Sequence, residues 1–392
     1  MIDIIERATK DFYWGILPRE EMQRFVEAAK TQGFEEARKT FPFSIRFDYA
    51  DDFSRADFNF FLPSPKNAQV LDLGSGFGNV TIPISYHYEN VTAVDASREL
   101  LEISSIRAAE LSRKNITFVH ADPLGSSPLP FADDSFDLII LNGVLEWVGL
   151  SGEKESPRDI QGFLLEEIRR VLRPGGAVYI GIENRWFPGW FKRDPHSKLP
   201  YTVFLPRKLA DWYARRHGIA SGYRTYIYGY GAYRKLFAER GFSIEKLLIP
   251  YTTYRDATVI YPRAKEISAY LFKRGSARTI YTAKWQAFLR ILRVFNVEHL
   301  MVASFMFVLT PFEGSAASSS LMTRLLALKH PDTFRDTDLL MKVPSGNAET
   351  LLVQALRSGA EEPYGSYRIV RLPDAMGKMT TSFEPSKSEL ES

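Results

Sequence analysis

The stretch Val70–Thr81 constrains the fold most, because it reads as a buried strand that ends in a glycine-rich turn and continues into a helix. Glycine takes positive φ and leaves bare backbone for a ligand, and here it stands at Gly74, Gly76 and Gly78. The helix after the turn offers unpaired N–H groups and the positive end of its dipole. In an open α/β sheet, a turn at the carboxyl end of a strand is where ligands bind.

The spacing of these glycines narrows the kind of ligand. A dinucleotide fingerprint has the form G-x-G-x-x-G, whereas this turn has the form G-x-G-x-G and is preceded by an acidic residue, Asp72. A carboxylate there would repel a pyrophosphate but attract the ammonium group of an amino-acid ligand. On this motif alone, glycines that merely tighten strand–helix packing remain the alternative.

Strand and helix patterns alternate along the next part of the chain. Such alternation predicts an α/β fold with a doubly wound, Rossmann-like parallel sheet. The predicted strands are residues 69–73, 90–94, 116–120, 136–141, 177–182, 241–249, 300–309 and 339–343. The predicted helices lie near residues 97–113, 159–172, 206–216, 231–240 and 263–296.

The chain divides into three predicted regions. Residues 1–63 form a helical N-terminal cap, whose phenylalanines either lean on the mouth of the next domain or are plain core. Residues 64–310 form the sheet domain, with an inserted, largely helical region at about 185–240. Residues 321–392 form a small appendage behind a polar linker, and its charged, serine-rich end is predicted to be disordered.

Acidic residues follow two further predicted strands. Asp95 lies 21 residues after Gly74, where a carboxylate can accept hydrogen bonds from both ribose hydroxyls of a nucleoside. Its alternative role is to cap the next helix. Asp122 follows the third strand, where the alternative is a turn before Pro123.

Two later motifs complete a family pattern. The fourth strand ends in the polar pair Asn142 and Gly143, and Leu172–Gly176 precedes the fifth strand. Together with the glycine turn, these motifs resemble the class I S-adenosylmethionine (SAM)-dependent methyltransferases over residues 66–183. The resemblance implies a methyltransferase fold, SAM as the cofactor and methyl transfer as the reaction.

The resemblance also implies which residues bind SAM. Asp122 corresponds to the position that accepts the adenine amine, and the turn after the fourth strand lies beside the methionine moiety. The implied cofactor-binding residues are Asp72, Gly74, Ser75, Gly76, Gly78, Asp95, Ala96, Asp122, Asn142 and Gly143. More weakly, four further stretches are similar to bacterial methyltransferases found with surface-glycan biosynthesis: Asp11–Gly15, Arg55–Asp57, Glu183–Arg185 and Asp194–His196.

An oxygen acceptor would need a proton acceptor. Glu146, Glu183 and His196 follow the fourth and fifth strands, where the acceptor is expected to enter, so they are candidate bases. Each also has an ordinary structural explanation, as a solvated helix residue or a loop hydrogen-bond partner. The sequence alone assigns none of them.

The inserted region is basic and aromatic. Between Arg185 and Arg274 there are 18 Lys and Arg against 6 Asp and Glu, with tyrosines interleaved. This favours an anionic small-molecule, saccharide or lipid-linked acceptor, and peripheral contact with a membrane is compatible with it. Solvated helix faces over an aromatic core are the alternative. Nucleic acid is disfavoured, because no RNA-binding module is recognisable.

Composition excludes several classes of site. The chain has 0 Cys, so disulfides and thiolate chemistry are absent, and its 6 His are not clustered, so no metal site is predicted. The first residues carry acids early and do not form a secretory signal, and no apolar run is long enough for a transmembrane segment. We therefore expect a soluble, cytoplasmic protein.

Other functions remain open on the same fold. One is a catalytically silent SAM-binding scaffold that partners another enzyme. Two further alternatives are an RNA methyltransferase and an NAD-dependent Rossmann enzyme, the latter disfavoured by the glycine spacing and by Asp72.

Overall fold

The structure is a computed structural model of the 392-residue chain. It describes residues 2–8, 13, 17–41, 53–62, 67–122, 127–150, 155–251, 253–255, 257, 259–263, 287–288, 291–292, 294–295, 297–312, 325–329, 340–342, 350–356 and 363–371. The Asp11–Gly15 motif falls largely outside the described residues, as do most of the predicted helix at 263–296 and the tail after 371.

Helices and strands alternate through the central part of the chain. The helices are α1 (Arg19–Gln32), α2 (Phe34–Thr40), α3 (Thr81–Ile84), α4 (Arg98–Glu110), α5 (Pro157–Val171), α6 (Arg207–Arg216) and α7 (Tyr230–Glu239). The strands are β1 (Ile4–Glu6), β2 (Gln69–Leu73), β3 (Asn90–Asp95), β4 (Ile116–His120), β5 (Phe136–Asn142), β6 (Leu172–Glu183), β7 (Phe242–Tyr251), β8 (Val259–Pro262), β9 (Ser304–Pro311), β10 (Leu325–Lys329), β11 (Leu340–Lys342), β12 (Thr350–Leu356) and β13 (Pro363–Arg371).

All these strands belong to one sheet, in the order β1-β4-β3-β2-β5-β6-β9-β7-β8-β10-β13-β12-β11. The strands from β1 to β6 pair in parallel, and β9 inserts antiparallel between β6 and β7. Beyond β7 the neighbouring strands pair antiparallel. The order of the strands reverses at β2, so the carboxyl ends of β2 and β5 flank the point where a doubly wound sheet binds its ligand. The α/β, Rossmann-like fold predicted from the sequence is confirmed.

The central strands are apolar because both faces of the sheet are covered. Leu71 and Leu73 pack into one buried cluster with helix α5, whereas Val70, which precedes them and points the other way, packs into the cluster on the opposite face. Apolar residues on both faces therefore give this strand its place in the middle of the sheet, and Asp72 is its buried polar exception.

The N-terminal region differs from its prediction at one point. Residues 1–63 are predicted to form a helical cap, but Ile4–Glu6 forms an edge strand that pairs in parallel with β4. A three-residue strand is too short to have a recognisable sequence period. Helix α1 begins after Pro18 and ends before Gly33, and it packs on α4 through a shared apolar cluster.

The predicted phenylalanine-rich segment contains a 3-10 helix, Phe53–Phe61. Phe58 is fully buried, and its ring stacks on Tyr179 of β6 with centroids 3.5 Å apart. Where the structure describes this segment, its phenylalanines at 58 and 61 are therefore core residues of the sheet domain.

The later elements lie close to their predicted positions. Helix α5 ends at Val171, and β6 starts directly at Leu172, earlier than the predicted stop at the Pro-Gly-Gly sequence. The predicted strand at 300–309 is β9, and the predicted strand at 339–343 contains β11. Within the described part of the chain, no helix has the length and apolar character needed to cross a bilayer.

Candidate active site

The glycine turn has the backbone that its sequence predicts. The φ angles of Gly74, Gly76 and Gly78 are 70°, 54° and 84°, a backbone conformation that residues other than glycine rarely adopt. A Cβ on Gly74 would lie 2.6 Å from Val144 Cγ2, and one on Gly78 would overlap Ser104 Oγ. A Cβ on Gly76 would meet nothing within 4 Å. The outer two glycines thus pack closely, whereas the middle one faces open space.

Asp95 holds this turn against the end of β3. Its Oδ2 accepts a hydrogen bond from Gly76 N at 2.8 Å, and its Oδ1 accepts one from Ser97 N, also at 2.8 Å. The N–H groups of Gly74 and Ser75 bind Val94 O at 2.8 and 3.0 Å. Burial raises the pKa of the Asp95 carboxyl, although the hydrogen bonds from the backbone N–H groups of Ser97 and Gly76 oppose the rise. Asp95 therefore shapes the turn and the start of α4 at once.

Asp72 lies buried at the end of β2. Its Oδ2 accepts a hydrogen bond from Thr81 Oγ1 at 2.5 Å, which joins the strand to the first residue of α3. Burial raises the pKa of this carboxyl to about 7, against the opposing hydrogen bond from Thr81. A cationic ligand group above the turn would favour the ionised form.

Asp122 follows β4 at the same edge of the sheet. Ala121 N donates to Asp95 O at 3.1 Å, so the chain leaves β4 beside the start of α4. Ala96 is buried and Asp122 half-buried at this position. The two predicted acidic positions, 95 and 122, are therefore neighbours across two adjacent strand ends.

The turn after β5 adjoins the glycine turn. Gly143 has φ of 78° and donates from its N–H to Gly181 O at 2.8 Å. The contact between Val144 and Gly74 brings the two turns together. The Asn142 side chain donates to Arg55 O at 3.4 Å, which ties the 3-10 helix to this turn. The residues predicted to contact the methionine moiety thus lie beside the glycine turn.

The three candidate bases come together in a second, buried group. Glu146, Glu183 and His196 each offer an atom within 4.8 Å of the others, and all three are buried. His196 Nε2 lies 3.6 Å from Glu183 Oε2 and 3.9 Å from Glu146 Oε1. These separations are longer than hydrogen bonds. The sequence predicts these residues as three separate candidates, and in the structure they lie together as one cluster of two carboxyl groups and an imidazole.

Two residues that the sequence did not nominate support this cluster. Tyr254 Oη lies 3.4 Å from Glu146 Oε1 and 3.3 Å from Glu183 Oε1. Arg255 Nη2 pairs with Glu183 Oε1 at 2.6 Å, and its Nε donates to Tyr254 Oη at 3.0 Å. Both residues follow β7, more than 70 positions from Glu183. No local motif marks them, so only the fold reveals their role.

The charges of the cluster depend on one another. Burial and the charge of Glu183 raise the pKa of Glu146 to about 7. Burial would also raise the pKa of Glu183, but the charges of Arg255 and His196 hold it well below its usual range. Burial opposes protonation of His196, but the two carboxylates outweigh it and raise its pKa to about 9.

A short turn presents His196 to the carboxylates. Asp194 Oδ1 accepts hydrogen bonds from the backbone N of His196 and of Ser197, both at 2.8 Å. Asp194 Oδ2 accepts one from Tyr223 Oη at 3.0 Å. The imidazole packs edge-on against the Trp147 ring at 4.8 Å. Asp194 therefore fixes the loop, and His196 is its buried tip.

The basic insertion begins where β6 ends. Arg207 stacks over Tyr226 at 4.0 Å and donates from Nη2 to Ile227 O at 2.7 Å. Arg185 donates from Nη2 to Leu205 O at 3.1 Å, and burial together with the nearby charge of Arg207 lowers its pKa. Nε of Arg185 and Nη1 of Arg207 are buried without a hydrogen-bond partner. The insertion thus carries two neighbouring guanidinium groups beside aromatic rings.

A parallel α/β sheet with a glycine turn at β2 and an acidic residue at the end of β3 defines a nucleoside-binding domain of the Rossmann-like class. Residues 71–180 match the family model described as a methyltransferase domain. The chain contains a class I SAM-dependent methyltransferase domain, and SAM is the cofactor of that family.

Curated relatives match about a third of the chain. It is 35% identical over 112 residues to a demethylmenaquinone methyltransferase of Clavibacter sepedonicus, which covers 29% of this chain and 40% of that protein. It is 32% identical over 142 residues to an uncharacterised protein of Mycobacterium tuberculosis, covering 36% of this chain and 46% of that one. The matched part thus spans less than half the length of these relatives.

Solved structures align with the chain at low sequence identity. A SAM-dependent methyltransferase from Mesorhizobium loti aligns with a TM-score of 0.40 and 18% identity, over 67% of this chain and 99% of that chain.

Proposed function

We propose that the whole chain transfers a methyl group from SAM to a small-molecule, saccharide or lipid-linked acceptor. The observation that carries the proposal is the open space at Gly76 beside a carboxylate, Asp95, whose backbone donors hold it at the turn. Bare backbone next to an acceptor of two hydrogen bonds is what a ribose requires.

The remaining cofactor contacts follow from the same cleft. Asp72 lies under the turn, where its carboxylate would attract the ammonium group of the methionine moiety. In this proposal Asn142 and Gly143, at the end of β5, contact that moiety, and Asp122, after β4, accepts a hydrogen bond from the adenine amine. The chain's own task is then to bind SAM, orient its methyl group and exclude water, since in-line displacement at a sulfonium needs few dedicated groups.

The inserted region supports an anionic acceptor. Arg185 and Arg207 carry buried N–H groups without partners, and tyrosine rings flank them. Guanidinium groups bind carboxylates and phosphates in two-point contacts, and aromatic rings stack on sugars and other flat ligand faces. We therefore propose an acceptor with a carboxylate or phosphate, and surface-glycan biosynthesis as its context.

Titration calorimetry with S-adenosylhomocysteine tests the cofactor site. We expect micromolar affinity, about −8 kcal/mol, for the wild type. Asp95→Ala should weaken binding at least about tenfold, because it removes the ribose acceptor and the partner of Gly76 N. The control Asp133→Ala changes an exposed carboxylate that pairs with Arg170, and it should bind like the wild type.

Two results would contradict this assignment. If the wild type does not bind S-adenosylhomocysteine, the assignment of SAM to this site is wrong. The NAD-dependent alternative then has to be tested by titration with NADH. If Asp95→Ala binds S-adenosylhomocysteine as tightly as Asp133→Ala does, the ribose does not bind at Asp95. Transfer of a radiolabelled methyl group from SAM to anionic sugars or lipid-linked saccharides then separates an enzyme from a silent SAM-binding scaffold.

A further inference from the structure

The cluster of Glu146, Glu183 and His196 contains more unsatisfied polar atoms than a buried site normally tolerates. Glu146 Oε2, Glu183 Oε2 and both ring nitrogens of His196 are buried and lack a hydrogen-bond partner. Buried polar atoms in proteins are nearly always paired, because an unpaired one costs its full desolvation. Of these atoms, His196 Nε2 and Glu183 Oε2 face each other at 3.6 Å, and unpaired buried atoms so close together indicate an occupant that supplies the missing interactions.

We propose that these three side chains bind a divalent first-row transition-metal ion, such as Mn²⁺ or Zn²⁺. The donors are two carboxylate oxygens and one imidazole nitrogen, a set that suits these ions better than a thiolate-preferring or purely oxygen-preferring ion. The sequence predicts no metal site because the three residues are dispersed along the chain.

Two of the three distances between the donors fit such an ion directly, and all three donors lie within 4.8 Å of one another. Two donors that each lie about 2.1 Å from a metal are about 3.4 Å apart at the tetrahedral angle and about 4.2 Å apart at most. His196 Nε2 lies 3.6 Å from Glu183 Oε2 and 3.9 Å from Glu146 Oε1, within that range. The same separations are too long for direct hydrogen bonds between these groups.

The surroundings orient the donors as the outer partners of a metal site do. Arg255 and Tyr254 bind Glu183 through Oε1, which leaves its Oε2 free toward His196. Tyr254 also contacts Glu146 through Oε1. Hydrogen bonds of this kind fix the orientation of ligating carboxylates and are costly to remove.

The two carboxylates need a second positive group besides Arg255, which is either a protonated His196 or a metal ion. Two buried carboxylates face one guanidinium, that of Arg255, so with a neutral imidazole the group carries a net negative charge away from water. A buried charge without compensation is unfavourable. A divalent ion supplies the compensation, and the competing arrangement is an imidazolium ion at His196 with no metal.

The place of the cluster gives the ion a role in the cleft. A Cβ on Gly143 would overlap Tyr254 Oη, so the cluster directly backs the turn after β5. A metal ion there would leave coordination positions beyond its three protein ligands, since such ions take at least four. An oxygen of the acceptor is the kind of ligand that fills one.

Mn²⁺ titration of the EDTA-treated full-length protein tests the site. We expect about one Mn²⁺ per chain by calorimetry, with competition by Zn²⁺, and a nitrogen hyperfine coupling from one imidazole in the pulsed electron paramagnetic resonance spectrum. His196→Gln and Glu146→Gln should each weaken binding about 100-fold or more. Glu167→Gln, a buried carboxylate on α5 that pairs with Arg170, should bind Mn²⁺ like the wild type.

Three outcomes would overturn the proposal. The first is no stoichiometric binding of either ion to the wild type, which leaves the imidazolium arrangement. The second is binding without a nitrogen coupling, and the third is binding unchanged in His196→Gln. The wild-type spectrum decides the matter even if a variant fails to fold. S-adenosylhomocysteine binding is measured separately, so failure here leaves the proposed methyl transfer intact.

Discussion

Substituting the middle glycine of the turn separates ligand binding from folding. Gly76 has φ of 54°, and a Cβ there meets nothing within 4 Å. Gly76→Ala therefore costs only the left-handed backbone, about 1–2 kcal/mol of stability. On the proposed assignment, the new methyl group enters the space that bound SAM requires. We expect S-adenosylhomocysteine affinity to fall at least about tenfold, or about 1.4 kcal/mol.

Two other glycines supply the controls. Gly218, at the end of α6, has φ of 88° and open space around its Cβ, so Gly218→Ala should lose the same stability and no affinity. Gly78 has φ of 84°, and its Cβ would overlap Ser104 Oγ and lie 3.0 Å from Ile82 Cδ1. Overpacking adds about 1–3 kcal/mol to the backbone term, so Gly78→Ala should lose about 2–5 kcal/mol of stability.

Guanidinium unfolding gives the stabilities, and calorimetry at a temperature where each variant is folded gives the affinities. The reasoning fails if Gly76→Ala binds S-adenosylhomocysteine as tightly as Gly218→Ala, because the open space would then not be the cofactor's. It also fails if Gly76→Ala is as destabilised as Gly78→Ala, because the space around residue 76 would then be filled.

Two further predictions concern a buried acid and a buried ring. The pKa of Asp72 is about 7 in the folded chain, whereas the ordinary value is 3.8. Between these values the folded state holds a proton that the unfolded state has released. The free energy of unfolding should therefore fall as pH rises from about 4 to 7. Over the same interval S-adenosylhomocysteine affinity should rise and then level above pH 7, and Asp72→Asn should flatten both profiles; a rise that persists in Asp72→Asn would assign it to another group. Phe58→Ala should lose about 3–5 kcal/mol in chemical unfolding, whereas Phe312→Ala, at a position 56% exposed, should lie within about 0.5 kcal/mol of wild type. Equal losses would mean that Phe58 does not fill the core.

The parts of the fold that the sequence predicts are those with a local signal. The glycine turn, the apolar central strands and the end of α1 at Gly33 each follow from residues within a few positions of one another. The edge strand Ile4–Glu6 has no such signal, because its place depends on pairing with β4 more than 100 residues away. Phe58 likewise could not be assigned to the core before its stacking partner, Tyr179, was known.

The residues of the candidate site likewise fall into those with a local sequence signal and those without one. Asp72 and Asp95 could be nominated because each lies at a fixed distance from the glycines. Glu146, Glu183 and His196 could be nominated only singly, by their positions after strands. Their mutual approach depends on where the loop after β6 folds back, and the supporting pair after β7 depends on strand order, which no local pattern records.

Buried carboxylates at the carboxyl edge of this sheet are the feature that most needs a functional explanation. Asp72, Glu146 and Glu183 are each no more than 3% exposed, and a buried carboxylate normally destabilises a fold unless a cation or several donors satisfy it. Glu183 pairs with Arg255, whereas among the described residues Asp72 accepts a hydrogen bond from Thr81, and Glu146 lies near the Tyr254 hydroxyl and the His196 imidazole at longer distances. SAM brings two positive groups, an ammonium and a sulfonium. The buried carboxylate of Asp72 beneath the glycine turn is therefore better matched to SAM than to the phosphates of a dinucleotide.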